Sequence, residues 1–318
     1  MLRLFHSIFG THKADQRYPD TLINMAIERT VDGTDPWLRG LSAYRRKLRP
    51  AVVHAIDHVV TLVDNLGDVL ELSRKSYGED PQLRLFFIST TQMASLLKSD
   101  PRLSAFRNEA GHAAEPIWAL LVMACEQRQT FGVALQGETI VRDVSQVTVS
   151  MSGHRLLDPT ADLAETRRLL KRRAFDHLLT LALAEITAAQ HVREDLTQHR
   201  TLLQAKLDFL QRGGWGFESP GHDIQPPEVE LQRQLKEIDS QFLELGGDDR
   251  YLEKHLEILV DVLANAEQQL WAQPLPLIVD RMGIKHHAAA EDAPELTLTE
   301  LHNKAGLRMV AQLVMVPA

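Results

Sequence analysis

Between Thr160 and Arg212, apolar residues recur every seventh position at Phe175, Ala182, Ala189, Leu196, Leu203 and Leu210. Leu178, Leu179, Ile186, Val192 and Leu207 fill the offsets of three and four. The stretch holds no Gly and no Pro. It predicts one helix, roughly 80 Å long at about 1.5 Å per residue, with a seam for partner helices. The same four-three rhythm predicts a helix over 50–75, on Val52, Ile56, Val59, Val63, Leu66 and Leu70. It predicts two more over 228–245 and 249–272, separated by Gly246 and Gly247. Shorter helices are predicted over 81–98 and 101–110, and another after Pro116, through Ile117 to Gln129. Four Asp-Pro pairs, at Asp35, Asp80, Asp100 and Asp158, each set a capping residue before one suited to a first helical turn. All four read as helix starts.

The rhythm changes in two places. Thr139–Val141 and Val147–Met151 are β-branched and partly alternating, with Asp143 and Ser145 between them, which reads as a hairpin. Leu296–Thr299 alternates, and Leu307–Val316 is largely apolar beyond a turn at Asn303–Gly306. This reads as a second, C-terminal hairpin. Isolated hairpins are marginal, so the two are expected to share one sheet. The resulting fold class is mainly α (α+β): a helical bundle with a long antiparallel helical arm and a small antiparallel β-sheet. Three domains are expected. They are a globular helical part with a hairpin (1–157), a long-helix bundle or helical hairpin (158–272) and a tail that packs back on the first part (273–318).

Composition adds constraints. At 318 residues, 44% hydrophobic and 25% charged, the chain has the make-up of a soluble globular protein. A net charge of −8 gives no basic field for nucleic acid, and none is expected as a partner. Two local basic clusters stand out: Arg45, Arg46, Lys47 and Arg49, then Arg167, Arg168, Lys171, Arg172 and Arg173. They read as solvated helix faces, or as docking points for an acidic partner or anionic lipid. The lone Cys125 excludes an internal disulfide framework and reads as a small core residue in a reducing compartment. No stretch is apolar for long enough to span a bilayer, so a cytoplasmic location is expected.

Three groups of residues carry candidate function. The order His54-x-x-Asp57-His58 places two imidazoles one helical turn apart beside a carboxylate. Two such His can share a zinc ion, and the acid can act as base. The pattern is like the inverted zinc-protease order His-x-x-Glu-His, with the shorter Asp in place of Glu. All three residues project onto the polar face of their helix, and no third ligand is evident. The second group is Trp215 and Phe217, flanked by Gly213, Gly214 and Gly216, as contacts for a partner or a membrane surface. The third is Met1–Phe9, whose Leu2, Phe5 and Phe9 share one face of a short amphipathic helix. Gly132-x4-Gly137-Glu138-Thr139 mimics a phosphate loop, but Glu stands where the phosphate-binding Lys belongs and a strand follows instead of a helix.

The leading functional expectation is a non-enzymatic interaction or scaffold protein that binds a protein partner or itself, including as a homodimer or coiled-coil oligomer. The alternatives are a metal-dependent hydrolase using His54, Asp57 and His58 with zinc, and a protein peripheral to an anionic membrane surface. No other cofactor is expected.

Overall fold

The computed structural model describes residues 18–110, 116–136, 139–211, 227–244, 250–290 and 292–317. The chain separates into two compact units. One takes in Tyr18, Ile56–Phe175 and Ala266–Ala318; the other takes in Pro19–Ala55 and Asp176–Asn265. The division falls inside two helices, α2 (Tyr44–Asp64) and α7 (Leu163–Gln211), so each helix contributes residues to both units.

The first unit is built on a six-stranded sheet. Its strands are β1 (Leu70–Glu71), β2 (Ile117–Gln136), β3 (Thr139–Thr160), β4 (Leu270–Ile278), β5 (Glu295–Asn303) and β6 (Arg308–Val316). The order is β3-β2-β6-β5-β4, with neighbours antiparallel, and β1 adds a short parallel pairing to β6. The last strand in sequence therefore lies in the middle of the sheet. One face of β2 presents Ile117, Ala119, Leu121 and Met123. They pack with Val310, Val314 and Val316 of β6 against Leu83, Phe86, Met93 and Leu103. Those four come from the short helices that follow α3 (Arg74–Glu79), namely α4 (Pro81–Phe86), α5 (Thr90–Ser99) and α6 (Pro101–Ala110). The opposite face presents Leu120, Val122, Ala311 and Leu313 to Val63 of α2, to Leu66 just beyond it and to Leu170 of α7.

This architecture corrects the expected fold class. The described residues are 57% helix and 28% strand around a six-stranded sheet, a mixed α/β fold and not a helical bundle with a small sheet. The physical reason lies at Ile117–Met123. A strand covered on both faces needs apolar side chains on both, so the period-2 alternation disappears and the run imitates a buried helix. The segment predicted as a helix over 117–129 is strand β2. Its partner is the whole of β3, so 139–151 is one strand and not a self-contained hairpin. Asp143, read as a turn residue, is instead a bulge. Three register shifts interrupt the β2–β3 ladder, and in each β3 carries the extra residue: Asp143, Gly153 and Asp158, with φ of 60, 65 and 49°. A bulge bends its strand and increases the local right-handed twist. It also explains why Asp158-Pro159 starts no helix, whereas the other three Asp-Pro pairs do.

The second unit is helical. It contains α1 (Asp20–Asp32), a 3₁₀ turn over Pro36–Gly40 and the first half of α2. The greater part of α7, with α8 (Pro227–Glu244) and α9 (Tyr251–Ala264), completes it. Its buried apolar residues include Ile27, Val31, Leu38, Leu48 and Val52, Leu178, Leu179, Ala182 and Ile186 of α7, and Leu256, Leu259 and Leu263 of α9. Arg29 grips Asp176 with two hydrogen bonds, at 2.6 and 2.5 Å. Farther along α7, Arg200 pairs with Asp239 of α8 at 3.0 Å, while seam residue Val192 is exposed. The predicted helix 249–272 stops at α9. A short turn, α10 (Ala266–Gln269), follows it, and Leu270 opens β4.

Candidate functional site

Tyr251 opens α9, so Lys254 and His255 stand three and four residues on and share its face. Ala189, Gln190, Arg193, Glu194 and Thr197 form a matching stripe on α7. The two stripes line a cavity of about 440 Å³ within the helical unit. His255 forms part of its wall and is only 5% exposed at the side chain. Its Nδ1 donates to Oδ2 of Asp35 at 2.7 Å, which leaves Nε2 as the ring nitrogen without a hydrogen bond to any described residue. The edge of the Tyr251 ring meets the imidazole at 5.6 Å between centroids. The Arg193 guanidinium lies over the Tyr251 ring at 5.5 Å, within the range of a cation–π contact. Lys254 reaches Glu257 at 3.4 Å, and Glu194 stands 3.7 Å from His191.

Asp35 serves two purposes. Its Oδ1 accepts the Trp37 backbone N–H and so caps the 3₁₀ turn, while Oδ2 fixes the imidazole. A carboxylate so placed sets the tautomer and orientation of a histidine. Asp100 repeats the design in the sheet unit. Oδ1 caps α6 through Arg102 and Leu103, and Oδ2 accepts the backbone N–H of Leu156 in β3. The caps were legible as Asp-Pro pairs. The second partners, far away in sequence, had no local signal.

The zinc candidates sit differently. His54 and Asp57 are exposed, and His58 is half-buried. The His58 Nε2 lies 2.7 Å from the Leu270 carbonyl and donates to it. Asp57 accepts from the Tyr18 hydroxyl, and burial first, then this carboxylate, push the Tyr18 ionisation well above its usual range. Among the described residues no group of three or more His, Cys, Asp and Glu side chains is placed to hold a metal ion. Trp215, Phe217, Leu2, Phe5 and Phe9 lie outside the described residues. No helix among the described residues is long and apolar enough to cross a membrane.

The basic clusters are drawn into local pairing. Lys171 is buried against Asp64 at 2.8 Å. Arg168 pairs with Glu165, Arg173 grips Asp158 through two bonds of 2.7 Å, and Arg45 reaches Glu28. Half-buried Cys125 packs beside the sheet core, and burial pushes its thiol above the usual range.

A second region stands out in the sheet unit. β6 pairs with β2 only over Ile117–Met123. Beyond that point, 124–136 of β2 pairs with β3 alone among the described residues. Lys285 and Gly283 hydrogen-bond to Val147 and Val149 and so cover part of the far edge of β3. The other edge, along β2, has no strand partner among the described residues. Phe131 and Val133, two apart on this ribbon, are 76% and 58% exposed. Comparison of the chain with protein-family models, curated proteins and solved structures found no match.

Proposed function

We propose that this is a non-enzymatic interaction protein that takes up an extended segment of a partner protein along the edge of β2. One observation carries the reading. Positions 124–136 offer a strand edge without a partner among the described residues, and exposed Phe131 and Val133 lie on the same ribbon. Unpaired backbone N–H and C=O groups on such an edge are a template for strand addition. Backbone pairing supplies affinity, and the alternate side chains supply selectivity. The apolar pair adds surface that gains by burial, at about 25 cal/mol per Å².

The test begins with affinity purification at native expression level, followed by reconstitution of the stoichiometric partner from purified components. A synthetic peptide covering the partner's contact segment should bind the full chain. The double substitution Phe131→Asp and Val133→Asp should weaken that binding by tenfold or more, with far-UV circular dichroism unchanged. Peptide binding that ignores both substitutions sinks the proposal. Sedimentation of the purified chain separates the self-associating case: a dimer lost in the same double variant makes the partner strand a second copy of the ribbon.

A further inference from the structure

We infer, building on strand addition at this edge, that the strand taken up along β2 is the same ribbon of a second copy, laid antiparallel about a two-fold axis at Val133. An antiparallel strand meets its own copy in reverse order, so a self-complementary pattern reads alike from both ends. The run Phe131-Gly132-Val133-Ala134-Leu135 does so: large apolar residues alternate with small ones, symmetrically about Val133. On the axis Val133 faces its own counterpart, and Phe131 of each copy stands opposite position 135 of the other. Positions 131, 133 and 135 share one face of the strand, on which Phe131 and Val133 are 76% and 58% exposed. Apolar cross-strand pairs of this kind stabilise an antiparallel ladder. The other face is furnished differently. The Gln146 side chain crosses above Gly132, where a Cβ would strike its amide, and Nε2 donates to the Val133 carbonyl at 3.2 Å.

Charge favours a second copy over an unlike partner. The chain carries a net charge of −8, so two copies repel in general. Residues 129–136 hold no charged side chain, and this uncharged edge is where two acidic molecules approach at least cost. Equally, it offers nothing by which a partner of opposite charge would be selected. Edge strands are commonly guarded by Lys, by Pro or by a covering segment. Positions 124–136 contain neither residue, and the charge of Arg128 is already met by Glu126 at 2.6 Å. The outer edge of β3 is not equivalent, because Gly283 and Lys285 hydrogen-bond to it at Val149 and Val147. Pairing about a two-fold axis is closed: each copy covers the other's edge, and the two ribbons become one continuous antiparallel sheet.

Sedimentation equilibrium of the full chain should show a weak monomer–dimer equilibrium, since one ladder is a small contact. Val133→Asp and Val133→Lys each set two like charges face to face on the axis. Each should weaken the dimer tenfold or more, with far-UV circular dichroism unchanged. An equimolar mixture of the two variants sets a carboxylate against an ammonium and should restore the dimer. Phe131→Asp mixed with Phe131→Lys should not, because position 131 stands opposite 135 and not opposite itself. Trp37→Asp, at an exposed ring of the helical unit, should leave the dimer unchanged. A chain that stays monomeric up to roughly 0.5 mM overturns the inference. So does a dimer that Val133→Asp leaves intact, or a mixture of the two Val133 variants that fails to pair. A monomer that takes up a different protein through Phe131 and Val133 overturns the second copy alone and leaves strand addition standing. Indifference of both dimerisation and peptide binding to all these substitutions overturns both.

Discussion

The two ends of the β2–β3 hairpin share one ladder but live in different environments. At the root, Ile117–Met123 is flanked by β6, covered on one face by α4–α6 and on the other by α2 and α7. Past Ala124 the same pairing continues, yet 127–131 of β2 is solvent-exposed. Both ends pair strand to strand; what differs is the apolar surface withdrawn from water. Each ladder hydrogen bond adds only about 1 kcal/mol net, so a two-stranded ribbon is marginal without a packed face. The root needs nothing further, whereas the ribbon has surface to spare.

Several substitutions sharpen or break this contrast. The largest effect is expected at the root. Leu121→Ala removes a side chain with no exposed surface and should cost about 3 kcal/mol, read as a lower urea midpoint at constant slope. Asp64→Asn removes the carboxylate 2.8 Å from buried Lys171 and should cost about 2–3 kcal/mol. Lys171→Met, which removes the charge as well, should recover most of that. On the ribbon, Arg128→Ala breaks the exposed pair with Glu126 and should leave the midpoint unchanged. The bulges give a finer comparison. Gly153→Ala forces a side chain into φ +65° at the root and should cost about 1 kcal/mol. Asp143→Gly, at the ribbon bulge with φ 60°, should be neutral or slightly stabilising in the same assay.

The smallest effect is a pH dependence. Burial lowers the His154 pKa, against a hydrogen bond to the Phe86 carbonyl that raises it. The folded state therefore holds its proton less tightly than the unfolded chain. Stability from this group is present above the unfolded value of about 6.5 and is lost as pH falls below it. His154→Phe should flatten that part of the stability profile. A histidine titration by NMR that places His154 above the unfolded value would break the argument.

The sequence was most legible where one side of an element meets water. The Gly- and Pro-free run gave α7 nearly to the residue, and its buried face includes Phe175, Leu178, Ala182 and Ile186 as the rhythm required. β5 and β6 form the C-terminal hairpin read from Leu296–Thr299 and Leu307–Val316. Reading failed where both sides are covered, as at Leu120 and Leu121, because burial on two faces erases the period. It also failed where an acidic residue had two explanations. Asp158 and Asp143 look like cap and turn residues, but each is the left-handed member of a bulge. The candidate cavity was invisible for another reason. Asp35 and His255 are far apart in sequence, and neither belongs to a recognisable spacing. Only the packing of α9 on the rest of its unit brings them together.

The place of β6 in the sheet has a consequence for how the molecule is made. A ribosome delivers β2 and β3 early, and local contacts let them zip together as a hairpin. Yet the strand that joins this hairpin to β5 and β4 is the last of the six to leave the exit tunnel. Until Val316 is available, Leu121 and Val122 have no neighbour on the β6 side, and the nascent chain carries two half-sheets, each with an unpaired edge. Completing the sheet is therefore a late, long-range event, of the kind that folds slowly and invites mispairing. A chaperone's window on this protein opens with β2 and closes only when β6 slides between the halves.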